Sequence, residues 1–153
     1  MVTGAAALSP PSNVLVVGKR IRAVSTGPVA TEGVGDLTRV DGGGRTLMPG
    51  LIDAHWHTML VRPTPVQLMT GDLGYMNLQA GAEATATLLR GFTTVRDMGG
   101  PSFGLKQAID AGLLPGPRIY PSGAVITITG GHGDFRPLSE LPRTGSGDSH
   151  MEQ

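Results

Sequence analysis

The hydrophobic and polar positions along the chain change period three times, and each change marks an element. Residues 13 to 25, NVLVVGKRIRAVS, are two runs rich in β-branched residues around Gly18-Lys19, the pattern of a hairpin with a short turn and with Val14 and Val16 on one face. Residues 26 to 36 are rich in Gly, Pro and Thr and predict an irregular loop. The following LTRVDGGGRTLMPG predicts two more short strands about the Gly42-Gly43-Gly44 turn. Residues 1–48 thus make a small β layer, a partial β domain. At Leu47 the pattern becomes apolar at nearly every position, LMPGLIDAH, as in a strand buried on both faces, with Pro49-Gly50 setting a sharp bend before it.

Beyond that junction the period turns helical. Residues 72 to 90 are Ala-rich, with Leu78, Ala82, Ala86 and Leu89 on one stripe and Gly91 placed to end the helix. FTTVRD is a short β-branched strand. Ser102 as N-cap, then Leu105, Ile109 and Leu113, with Gly112 near the exit, predict a second helix. RIYPSGAVI reads as a third buried strand, and from Thr127 onward the chain is polar, Gly-rich and without a strong period. Strand, helix, strand, helix, strand is the alternation of right-handed parallel βαβ units, so residues 49–153 are of α/β class.

The 24 glycines and 12 prolines among 153 residues fit short elements joined by tight loops. Twelve basic and twelve acidic side chains cancel, which leaves no electrostatic footprint for nucleic acid or an anionic membrane and favours a small neutral substrate. The absence of cysteine removes disulfides and thiolate ligands, so a metal would have to use His and carboxylates. Met1 to Pro11 lacks the basic and apolar regions of a signal peptide, and no apolar run reaches the ~18 residues of a membrane span. A cytoplasmic location is the expectation.

The chemistry concentrates in Asp53-Ala54-His55-Trp56-His57 at the end of the buried strand. Side chains at i and i+2 of a strand share a face, so both imidazoles project together, one repeat of ~6.6 to 6.8 Å apart, and one ion can bridge them. Asp53 falls on the same face, as an acceptor behind His55 or as a carboxylate that holds backbone. On spacing alone the pair reads equally well as two polar residues at a loop entrance. Arg96-Asp97, closing the second strand, predicts an internal ion pair or scaffolding at the strand ends, with direct catalysis by Asp97 a lesser reading. Gly42 to Gly44 is a turn, since no phosphate-loop signature accompanies it.

LMPGLIDAHWH, GFTTVRDMGG at 91 to 100 and GPRIYPSGAVITITGGHGDFRP at 116 to 137 together resemble the amidohydrolase superfamily, in the branch of imidazolonepropionase-like enzymes and Xaa-Pro dipeptidases. The resemblance runs from residue 13 to 150. It implies a TIM (β/α)8 barrel preceded by a small β-sandwich-like domain, both incomplete here, because a barrel takes about 250 residues. It implies one or two divalent ions, usually zinc, and activated water attacking an amide, cyclic amide or dipeptide C–N bond. His55 and His57 match two ligands of the more buried metal. The lysine or glutamate, the further histidines and the aspartate that the superfamily draws from later strands have no counterpart, for Lys19 and Lys106 are misplaced. His132 in Gly130-Gly131-His132-Gly133-Asp134 matches a loop facing the pocket, where it could touch substrate or the developing oxyanion; alternatively His132 and Asp134 satisfy the loop's own backbone. Arg136 would bind a substrate carboxylate, and His150 sits exposed in an unpatterned tail.

The expectation is an N-terminal portion of a hydrolase acting on a small molecule or dipeptide, with little activity alone because two imidazoles fix an ion poorly and leave no general base. The alternatives are a non-catalytic binding or assembly module, a homo-oligomer or split subunit that pairs its open edges with a complementing C-terminal chain, and a two-His metal binder without hydrolysis.

Overall fold

A computed structural model of the chain describes residues 8–134. It divides into two compact units, Met1–Pro49 and Gly50–Gln153. In the first unit, β1 (Asn13–Val17) and β2 (Arg20–Ser25) form an antiparallel hairpin. Gly18, at φ 59, supplies the left-handed backbone that the turn needs. Leu15 is buried and Val16 beside it is exposed, and a register shift between them leaves Arg22 as an extra residue on β2. The two strands expected around Gly42–Gly44 do not form. The turn itself does: Asp41 Oδ1 accepts the Gly43 N–H, and the Arg45 N–H donates to the Gly42 carbonyl. A strand exists only through a neighbour's ladder, and among the described residues β1 and β2 pair only with each other.

The second unit is a mixed α/β fold on a parallel sheet of order β3-β4-β5, with β3 Leu51–Trp56, β4 Phe92–Asp97 and β5 Arg118–Pro121. The third strand stops at Pro121, short of the expected residue 126. Three helices connect the sheet: α1 (Pro65–Thr70), α2 (Leu73–Leu89) and α3 (Phe103–Asp110). The short α1 has no counterpart in the periodicity, yet Thr64 and Gln67 close a reciprocal capping box with Pro65 in the first turn. Asp72 caps α2 through the Tyr75 N–H, and Gly91 ends it at φ 96.

Trp56, Met76, Ala80, Ala84, Val95, Leu105 and Ile119 form the core between the helices and one face of the sheet. The buried stripe of α2 is Met76, Ala80, Glu83, Ala84 and Thr87, whereas Leu78 and Leu89 are exposed, so the expected stripe was rotated. Leu113 is likewise exposed. Among the described residues no helix packs on the other face of the sheet, where Ile52 and Tyr120 are 70% and 56% exposed. β3 is therefore not buried on both faces. A cleft of about 590 Å³ runs over this open face, lined by Ile52, Ala54, Thr94, Arg96 and Tyr120 among others.

Glu83 is the charged exception in the core face of α2. It accepts from Arg62 Nε at 2.9 Å and from Arg90, which also binds Thr87. Burial pushes its carboxyl up, but the hydrogen bonds from Arg90 and Arg62 and the charge of Arg90 outweigh that and hold it below its ordinary 4.5. The pairing ties the segment after β3 to the middle of α2.

Candidate functional site

β3 and β4 run parallel and end together, and the two imidazoles lie where they end. Their register is irregular at both ends of β3. At the start, Leu51 pairs with Phe92 and Ile52 with Thr94, which leaves Thr93 as an extra residue on β4. Thr93 fills the space beside Gly50: a Cβ there would lie 2.0 Å from Thr93 Oγ1, so the residue preceding β3 has to be glycine.

At the end, Asp53 pairs with Val95 and Trp56 with Asp97, so β3 spends three steps where β4 spends two. Ile52 and Ala54 consequently line the open cleft, while Trp56 turns into the core with Val95 and Ile119. His55 and His57, the chain neighbours of Trp56, are exposed and half-buried respectively. Asp53 bonds to the backbone of His55. Its Oδ1 accepts the His55 backbone N–H at 3.0 Å, the backbone-holding role, and its Cα partner Val95 belongs to the core.

The two rings meet edge to face, with centroids 5.2 Å apart and planes 69° apart. Imidazole nitrogens are donors of the kind a zinc ion takes, and two rings this close can serve one ion. The donors and their spacing fit one such ion. His57 Nδ1 lies 3.5 Å from the Gly99 carbonyl, which leaves Nε2 as the nitrogen free of backbone. Among the described residues, no group of three or more His, Asp or Glu side chains converges on a metal position.

Asp97 is fully buried behind this pair. Its Oδ2 accepts both the N–H (3.0 Å) and the hydroxyl of Thr58, and its Oδ1 accepts the Gly99 N–H at 3.2 Å. The ladder continues past the strands, where the Met98 N–H donates to the Trp56 carbonyl at 2.8 Å. Asp97 is scaffolding at the strand ends, and the ion pair with Arg96 does not form: Arg96 lies on the opposite face, in the cleft. Neighbouring positions on one strand face opposite sides, which rules that pair out geometrically.

His132 is exposed on the loop after β5 and does not join His55 and His57 in a three-residue cluster. Asp134 does serve its own loop, accepting the Gly130 N–H at 2.8 Å. Arg136 and His150 lie outside the described residues. Sequence reasoning gave Asp97 as scaffolding but not its partners Thr58 and Gly99, and only the burial implied by a carboxylate closing a core strand hinted at them. Among the described residues, no helix is long and apolar enough to cross a membrane.

The model of the amidohydrolase family matches residues 46–152. Ochratoxinase of Aspergillus niger is 33% identical over 103 residues, covering 58% of this chain and 19% of that protein. Among solved structures, a prolidase complexed with N-methylphosphonate-L-proline superposes with a TM-score of 0.70 at 39% identity, over 87% of this chain and 32% of its own. A Xaa-Pro dipeptidase with methionine bound in its active site gives 0.67 at 27% identity, over 84% and 33%. The chain thus spans about a fifth of the curated relative (19%) and about a third of these structures (32% and 33%). The family match takes in all three parallel strands and the His55-Trp56-His57 pair, and the chain belongs to the amidohydrolase family, hydrolases of carbon–nitrogen bonds.

Proposed function

We propose that this chain supplies the opening strands of a (β/α)8 barrel in a metal-dependent hydrolase, and that His55 and His57 are two ligands of a divalent ion, zinc by the chemistry of the donors. The observation that carries the reading is the pair of imidazoles 5.2 Å apart at the C-terminal end of β3, the end at which barrel enzymes build their sites. When bound, such an ion polarises a scissile carbonyl and brings the pKa of water toward about 7. The protein's own part is to hold the ligands: the Asp53 carboxylate fixes the His55 backbone, and Gly99 faces Nδ1 of His57. The substrate class is a small molecule with an amide-type C–N bond, a dipeptide foremost, because the similar solved structures include a prolidase and a Xaa-Pro dipeptidase. His132, exposed on its loop, is the candidate for substrate contact.

Calorimetric titration of the purified chain with zinc tests the ligand assignment. One ion per chain is expected, with affinity reduced at least tenfold in His55→Ala and in His57→Ala. Zinc uptake that is absent, or equal in the wild type and both variants, overturns it. Dipeptide hydrolysis by the 153-residue chain with added zinc is expected to be slight, since neither histidine is left to act as a general base.

A further inference from the structure

We propose that Asp97 is a positioning residue for His57: through Thr58 and Gly99 it sets which ring nitrogen of His57 keeps the proton, and so which nitrogen is offered outward. The inference deepens the reading of His57 as a ligand and rests on it for its purpose, but not for its geometry.

Asp97 is fully buried and its carboxylate is met by three donors: the Thr58 N–H, the Thr58 hydroxyl and the Gly99 N–H. These donors belong to two positions that matter to His57. Thr58 is the next residue in the chain, so fixing its N–H and its hydroxyl fixes the peptide that carries the imidazole. Gly99 presents its carbonyl to His57 Nδ1 at 3.5 Å. That separation is at the limit of a hydrogen bond, where a shift of a few tenths of an ångström decides whether the bond exists. Asp97 therefore holds both sides of one contact.

Gly99 is confined from its other side as well. A Cβ there would come within 2.3 Å of Val125 Cγ2 and 3.8 Å of His57 Cε1, so the bare backbone is what allows the carbonyl to approach the ring. A carbonyl oxygen can only accept. A hydrogen bond to it puts the proton on Nδ1 and leaves the lone pair on Nε2, and the partner of one ring nitrogen sets the state of the other. In a neutral imidazole without such a partner the proton favours Nε2, which would occupy the nitrogen a metal needs. Asparagine at position 97 presents an amide N–H₂ in place of one carboxylate oxygen, so either the two donors of Thr58 or the one of Gly99 lose their acceptor.

The test is ¹⁵N–¹H correlation of the histidine rings at about pH 8 on the wild-type 153-residue chain, Asp97→Asn, Thr58→Val and Thr58→Ser. The expected result is Nδ1–H for His57 in the wild type and in Thr58→Ser, which keeps both donors. A shift toward Nε2–H is expected in Asp97→Asn and, by a smaller amount, in Thr58→Val, with the His55 signals unmoved in all four. Zinc affinity should fall about 10- to 100-fold in Asp97→Asn. A purely structural role would move both histidines or neither. His57 found as Nε2–H in the wild type, or unchanged in every variant that folds, overturns the proposal. Should Asp97→Asn fail to fold by circular dichroism, Thr58→Val, which preserves side-chain volume, decides alone. A His57 tautomer that follows Asp97 in a chain that takes up no zinc refutes the metal reading and leaves the positioning intact. Undiminished zinc binding with an unmoved tautomer does the reverse.

Discussion

Replacing Glu83 by glutamine keeps the volume of a side chain in the core face of α2 and removes its charge. The carboxylate is 7% exposed and is shared by Arg62 and Arg90, whose side chains are 43% and 53% exposed. Hydrogen bonds between charged partners are worth about 1.5–3 kcal/mol when well shielded, and surface pairs about 0–1 kcal/mol. With one shielded and one half-solvated end, each pair falls near about 1 kcal/mol, so Glu83→Gln should destabilise by about 2 kcal/mol at neutral pH. For a unit of about 100 residues this lowers Tm by roughly 8 °C or more. The loss should also depend on pH. Because the folded value lies below the ordinary 4.5, the unfolded chain takes up the proton first on acidification. The contribution of the carboxylate is complete above that ordinary value and drains away as pH falls through the folded one. Urea unfolding followed by fluorescence of Trp56, the single and buried tryptophan, reads both effects, and urea avoids the screening a salt denaturant would impose. The gap between wild type and variant should be flat from neutrality to about pH 5 and close below it. A gap absent at neutral pH, or undiminished in acid, refutes the argument.

Two further substitutions probe the packing. Ile119, 1% exposed on β5, fills the space between the sheet and the helices, and Ile119→Ala should cost about 2–5 kcal/mol in the same urea experiment. On α2, Leu78→Lys changes a residue that is 74% exposed and should alter stability by less than about 0.5 kcal/mol; Ala80→Lys, at 2% exposure, should prevent folding as judged by circular dichroism. Equal effects at the two positions would show that the buried face of the helix is misassigned.

The hairpin of β1 and β2, strand β4 and helix α2 were legible because their signals are local: Gly18 in the turn, the β-branched run Phe92–Asp97, Gly91 at the helix end. The face of α2 was not, since LGYMNLQAGAEATATLL is apolar on every side and alanine carries little pattern. Burial of Glu83 depends on Arg62, 21 residues away, and no periodicity shows such a partner. Helix α1 was within reach, because Thr64-Pro65-Val66-Gln67 is a capping box with proline in the first turn. In the site, spacing put His55 and His57 together, and the rings do meet. What spacing could not show was the irregular register of β3 or the bonds of Asp97, which are set by pairing with β4 some forty residues along the chain.

That irregularity has an energetic reason, and the reason joins the core to the site. Under strict alternation Trp56 would share the open face with Ile52 and Ala54. Turning it into the core instead removes most of an aromatic side chain from water, worth about 4–6 kcal/mol for an area of about 150–250 Å². The cost is a disturbed ladder between Asp53 and Trp56, on the order of one net hydrogen bond or about 1 kcal/mol. Burial wins, and the strand takes the extra residue. Because side chains on either side of an inward-turned residue point away from it, the same choice directs His55 and His57 out of the core, where their rings come within 5.2 Å of each other. The tryptophan between the two histidines is therefore the anchor that aims them, and Asp97, bonded to the residue that follows, fixes the second of the two.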